Sequence, residues 1–149
     1  MQRSVICHSV EETQALGEKL AGALPNGAFL ALYGDLGVGK TAFVRGLASR
    51  LTPSCAVSSP TYTVVNVYRE NNNRINHFDL YRITDEDSLE SVGFYDYLGQ
   101  GITVCEWCEN IPFALPEDYL RLTFGRLSDT QRQITIECVG AFTYADLGN

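Results

Sequence analysis

The chain has 149 residues, of which 45% are hydrophobic and 19% charged, the balance of one ordinary globular domain with enough length to close a core without staples. Its net charge is −7, and its lysines are Lys19 and Lys40 alone, which disfavours an independent grip on RNA or DNA, since such proteins present a basic patch. No apolar run reaches the roughly 18–20 residues of a membrane helix, and the opening MQRSVICHSVEETQ has no signal-peptide core, so no membrane is expected and the expected place is the cytoplasm.

Ser9, followed three residues later by Glu12, is a capping box. Val10, Ala15, Leu16, Leu20, Ala23 and Leu24 then follow a helical stripe until Pro25-Asn26-Gly27 stops it. Ala28 to Gly34 is a short apolar run of the kind that forms a buried parallel strand, and Thr41 to Leu51 is amphipathic and helical. Tyr62 to Glu70 and Arg74 to Ile83 are rich in strand formers and flank Asn71-Asn72-Asn73. They predict a hairpin, and with it an antiparallel part of the sheet. Thr84 is the expected cap of a helix with acids in its first turn, and a short helix is expected over Tyr95 to Leu98. Gly101 to Trp107 predicts a second buried strand. Asp118 to Gly125 and Arg132 to Gly140 alternate as half-buried strands do, joined at Ser128-Asp129-Thr130. There are no repeats or long linkers, so a single α/β domain over 1–149 is expected.

Between the first strand and the second helix lies Gly34-Asp-Leu-Gly-Val-Gly-Lys-Thr41, which fits G-x-x-x-x-G-K-[ST]. Strand, glycine loop and helix together are the context of a phosphate-binding loop. Gly34, Gly37 and Gly39 let the backbone wrap with its N–H groups inward, and the helix N-terminus favours anions. Asp35 and the main chain of Leu36, Gly37, Val38, Gly39, Lys40, Thr41 and Ala42 are expected to line this nest. Lys40 would reach the β- and γ-phosphates and the Thr41 hydroxyl would ligate Mg²⁺. An acid at the end of a neighbouring strand completes such a site. Glu106, ending ITVCE, is favoured for Mg²⁺ because the run before it is uninterrupted. Asp79, ending INHFD, follows Asn76 and His77 and is expected to orient the attacking water. With no N-K-x-D box for guanine, ATP is the expected nucleotide, and at this length little chain is left for a kinase's acceptor pocket and lid. Cys105 and Cys108 form a lone C-x-x-C without further ligands at zinc spacing, and Cys105 reads as a small buried residue ending a strand.

GDLGVGKT, SSPTYTVVNVY, HFDLYRI, LESVGFYDYL, VCEWCENI and LPEDYLRLTF occur in this order. Together they resemble the TsaE (YjeE) family over about residues 9–140. The resemblance implies a single-domain, three-layer P-loop NTPase-like fold whose mixed sheet has antiparallel additions. It implies a weak Mg²⁺-dependent ATPase that acts with TsaD and TsaB in tRNA N6-threonylcarbamoyladenosine (t6A) synthesis. In that scheme tRNA is met only through the complex, no DNA is bound, and the ATP cycle resets the complex between turnovers. By motif, Lys40, Thr41, Glu106 and the Walker B-like Asp79 carry over. Thr61 of S-P-T-Y-T resembles a switch element facing the γ-phosphate, and by the same resemblance Trp107, next to Glu106, is expected to belong to the nucleotide site. Arg132 and the start of the first helix, near Val10 and Glu11, resemble the adenine surround. Cys108, where the family often has Pro, and Val38, where Ala is common, depart from the pattern. Two rival readings remain at this point: a nucleotide-dependent docking module with incidental hydrolysis, and a small kinase.

Overall fold

A computed structural model describes residues 2–34 and 39–140. Asp35, Leu36, Gly37 and Val38 of the loop lie outside the described residues, as do Met1 and 141–149.

Among the described residues seven strands form one sheet: β1 (Gln2–Cys7), β2 (Phe29–Tyr33), β3 (Val65–Glu70), β4 (Asn73–Asp79), β5 (Ile102–Glu106), β6 (Tyr119–Arg126) and β7 (Arg132–Val139). Their spatial order is β1-β7-β6-β2-β5-β4-β3. The middle of the sheet is parallel, with β2 between β5 and β6 and β4 beside β5. The edges are antiparallel: β3 on β4, β7 on β6 and β1 on β7. Among the described residues four helices accompany them, α1 (Val10–Ala21), α2 (Lys40–Leu51), α3 (Glu86–Ser91) and α4 (Phe94–Tyr97), with short 3-10 turns over Cys108–Asn110 and Pro112–Ala114. No helix among the described residues is long and apolar enough to cross a membrane.

Strand alternation divides the core into two layers. Leu30, Leu32, Ile75, Ile102 and Val104 pack with Leu20, Phe43, Val44 and Leu47 of α1 and α2. Phe29, Ala31, Phe78 and Cys105 pack on the other face with Leu89, Phe94 and Ile111. The result is the three-layer mixed sheet that the sequence predicts.

Glycine decides how α1 meets α2. A methyl group on Gly46 would overlap the Gln14 carbonyl oxygen, and one on Gly17 the Phe43 carbonyl oxygen. The two backbones therefore touch where side chains would hold them apart. Ser9 caps α1 by accepting the Glu12 N–H at 3.1 Å, and the Glu12 carboxylate accepts the His8 N–H at 3.0 Å. This bond, above all, holds the Glu12 carboxyl below its ordinary range.

Three expectations need correction, and one strand was not expected at all. Helix α1 ends at Ala21, before Leu24, because Gly22 caps it and the chain turns ahead of Pro25. The N-cap of α3 is Asp85, not Thr84: the Asp85 carboxylate accepts the Ser88 N–H at 2.7 Å, and two good capping residues in tandem leave composition unable to choose. The hairpin strands are shorter at their outer ends. Val64, at φ 69°, leaves the extended region, and beyond Asp79 the chain bends as the Ile83 N–H closes on the Leu80 carbonyl. Finally β1 goes unforeseen, because it is an edge strand with mostly exposed side chains and offers little periodicity.

Candidate nucleotide site

The parallel strands β4 and β5 run in step, so that Asp79 and Glu106 are register partners at the strands' C-terminal ends. Ile75, His77 and Asp79 share one face of β4 by alternation, and Ile102, Val104 and Glu106 share the same face of β5. That face carries α2, whose first residue is Lys40. Two carboxylates and a lysine thus converge at the carboxyl end of a parallel sheet, beside a helix N-terminus, where α/β sheets bind ligands. Asn76 and His77 do not interrupt the burial of β4, since both are fully buried. The contrast between the two strands that favoured Glu106 over Asp79 therefore does not exist in the structure. Asn76 faces the other layer, where its amide donates to the Tyr97 and Gln100 carbonyls.

Lys40 is 5% exposed. Its ammonium donates to the Gly34 carbonyl at 2.7 Å, lies 3.7 Å from Glu106 Oε1, and sits 5.2 Å from the centre of the Trp107 ring. Trp107 holds a left-handed backbone, φ 64°, which costs a residue with a Cβ on the order of 1–3 kcal/mol. Its ring also meets Tyr81 edge-on at 4.9 Å. Asp79 accepts the Thr61 hydroxyl at 3.1 Å on one oxygen and the Tyr81 N–H at 3.0 Å on the other. Thr61 is bonded in turn to the Ser59 hydroxyl at 2.7 Å.

Gly39, Lys40, Thr41, Ala42, Ser59, Asp79 and Glu106 line a cavity of about 240 Å³. Its oxygen donors, two hydroxyls and two carboxylates, are hard ligands of the kind Mg²⁺ takes when phosphates complete its shell. A second cavity of about 300 Å³ shares Gly39 and Ala42 with the first. It is lined by Val10 and Thr13 of α1, by Thr130 just before β7 and by Arg132 at the start of β7, with the Arg132 guanidinium donating to the Ser128 and Gln131 carbonyls. The two cavities are placed as a phosphate chain and a base would need. Glu11 is exposed and outside this lining, whereas His8, Thr13 and Thr130 enter it unforeseen. Ser59, a neighbour of Thr61, was missed as well. Asp35, Leu36, Gly37 and Val38 lie outside the described residues.

The C-x-x-C pair sits in the far layer, where the Cys108 thiol donates to the Cys105 carbonyl and burial pushes the Cys105 thiol well up. No group of three or more His, Cys, Asp or Glu among the described residues could hold a metal on its own.

Comparison with known proteins agrees with the architecture. A family model described as "Threonylcarbamoyl adenosine biosynthesis protein TsaE" matches residues 7–134. Proteins named tRNA threonylcarbamoyladenosine biosynthesis protein TsaE are similar over most of their length. That of Bacillus subtilis is 38% identical, covering 87% of this chain and 82% of its own; that of Aquifex aeolicus is 41% identical, covering 72% and 77%; that of Treponema pallidum is 32% identical, covering 88% and 97%. The crystal structure of Bacillus subtilis YdiB superposes with a TM-score of 0.78 at 31% identity, covering 94% of this chain and 87% of that one. With the phosphate-loop helix, the paired strand-end acids and these matches in agreement, the chain belongs to the TsaE family.

Proposed function

We propose that this chain is a Mg²⁺-dependent ATPase of t6A synthesis, working with TsaD and TsaB and resetting their complex between turnovers. The observation that carries the reading is the meeting of Lys40 with Asp79 and Glu106 at the N-terminus of α2, with Thr61 hydrogen-bonded to Asp79.

The phosphate chain of ATP would lie along the start of α2, with its γ end toward Asp79 and Glu106. There the ammonium of Lys40 exchanges the Gly34 carbonyl for phosphate oxygens and offsets the charge that develops as the terminal anhydride bond breaks. Thr41 and Glu106 would hold Mg²⁺, which, when bound, screens the same oxygens. Asp79, held by Thr61 and the Tyr81 N–H, is placed to orient the attacking water, so that ADP and phosphate leave without a phosphorylated acceptor. The adenine would enter the cavity between Val10 and Arg132. The net charge of −7 fits a protein that meets tRNA only through partners, in the cytoplasm.

The deciding experiment is t6A synthesis by purified components over many turnovers, with and without this chain and with hydrolysable ATP. Glu106→Ala should bind ATP, fail to hydrolyse it and stop synthesis after the first rounds. Sustained turnover with that variant would instead favour a docking module with incidental hydrolysis. That second reading draws support from Tyr62, 84% exposed beside Thr61 and therefore free to meet a partner when the segment orders.

A further inference from the structure

One polar residue on the active face of β4 has no part in the reaction described above. His77 has no exposed surface, yet both its ring nitrogens are engaged. Nε2 lies 2.7 Å from Glu106 Oε2, and Nδ1 lies 3.1 Å from the Tyr68 hydroxyl. Tyr68, on β3 and 4% exposed, places that hydroxyl 3.0 Å from the Ser58 carbonyl oxygen. Burial raises its affinity for the proton, so it stays a hydroxyl. Ser58 opens the segment that ends in Thr61, the residue bonded to Asp79. An unbroken run of contacts thus leads from Ser58 through Tyr68 and His77 to Glu106, and from Glu106 to Lys40.

The distances tell which partner orients Glu106. A good charge-assisted N–H···O bond is about 2.7–2.9 Å. The His77 contact reaches that range, whereas Lys40 stands off at 3.7 Å. A carboxylate only accepts, so the shared hydrogen sits on Nε2. The Tyr68 hydroxyl has one hydrogen and faces two acceptors, the Ser58 carbonyl and Nδ1. Moving Ser58 leaves the hydroxyl with His77 alone, so the position of the segment and the setting of the ring are tied through one group.

We propose that His77 is a positioning residue: it fixes the Glu106 carboxylate for ATP hydrolysis and, through Tyr68, ties it to the Ser58–Thr61 segment. This rests on the reading of Glu106 as an acid of the ATP site. The phosphate chain itself would be held by the start of α2 and by Lys40, whereas the hydrogen bonds of His77 go to Glu106 and Tyr68, so His77 acts on the rate of hydrolysis and not on binding.

His77→Asn keeps a polar group near Nδ1 but cannot reach Glu106, and should lower kcat about 10–100-fold with KM for ATP within about threefold, as loss of an outer-shell partner does. His77→Gln carries its amide nitrogen to the Nε2 position and should restore most of the rate. Tyr68→Phe should lower kcat by a smaller factor, and the double variant His77→Asn/Tyr68→Phe should be no slower than His77→Asn alone, since both cut one run of contacts. A His77→Asn rate equal to wild type, equal losses in His77→Asn and His77→Gln, or independent losses in the double variant would overturn the proposal. If His77→Asn loses its cooperative thermal transition, the comparison of His77→Gln and Tyr68→Phe with wild type decides. A second readout needs no nucleotide. The chain has two histidines, and long-range proton–nitrogen NMR should show the buried ring protonated at Nε2, with signals that move in Glu106→Gln and in Tyr68→Phe. Signals indifferent to both substitutions would sink the link. Were wild type itself inactive on ATP with partners present, the ATPase reading would fall, while the NMR result would still decide whether His77 holds Glu106.

Discussion

Lys40 illustrates how one side chain can be both buried and available. At 5% exposure its charge is kept by the Gly34 carbonyl, the Glu106 carboxylate and the Trp107 ring, partners that phosphate oxygens can replace. Lys40→Ala removes the point charge that phosphates meet, and calorimetry should show ATP affinity falling at least tenfold, roughly 1.4 kcal/mol. Undiminished affinity would mean that the nucleotide binds elsewhere. Thr61 acts on the opposite side of the site. Thr61→Val preserves shape but removes the hydrogen bond to Asp79, so kcat should fall about 10–100-fold, the scale of lost support around a site, while KM for ATP changes little. At this scale the sequence was most legible where a motif fixes spacing: Lys40, Thr41, Asp79 and Glu106 stand around one cavity. It was least legible where function needs a buried polar residue. His77 reads as a flaw in an apolar strand, and only the register that brings it beside Glu106 gives it meaning.

Elements place these residues, and the crossing of α1 and α2 has the least room for change. Gly46→Ala forces a methyl group into the Gln14 carbonyl and should destabilise the fold by about 3 kcal/mol, the upper part of the range for overpacking. By contrast Ser9→Ala, which loses only the cap of α1, should cost about 1 kcal/mol. Urea titrations of the two variants would separate them, and equal midpoints would refute the close crossing. The periodicity of the two helices shows in the sequence, as does the alternation of β6 and β7. What the sequence hides is the partner of each face. Nothing local announces that Gly17 and Gly46 meet other backbones, or that Gln2–Cys7 becomes an edge strand on β7.

Over the whole molecule the acidic balance sets the partners. With a net charge of −7, the chain alone should show no saturable tRNA binding in the micromolar range at about 0.15 M salt, because nonspecific affinity comes from neutralising phosphates with basic groups. A filter-binding curve that saturates below micromolar would contradict this. ATP with Mg²⁺, at about a hundred times its dissociation constant, should add about 2.7 kcal/mol of stability, read as a thermal shift that falls by about half or more in Lys40→Ala. The mixed sheet itself was legible, since an apolar run before a glycine loop and a hairpin over Asn71–Asn73 already require parallel and antiparallel parts. The order of its strands was not, because it depends on contacts far apart in sequence.

Trp107 is the chain's single tryptophan, and it stands 5.2 Å from the charge that must move when phosphate arrives. Indole emission is sensitive to nearby charge, and excitation to the red of tyrosine absorption isolates this one ring among eight tyrosines. The protein therefore carries an optical probe of its own loop. Emission should change when ATP draws Lys40 away from the ring and stay unchanged in Lys40→Ala, so that arrival and release of nucleotide can be timed on the unlabelled chain.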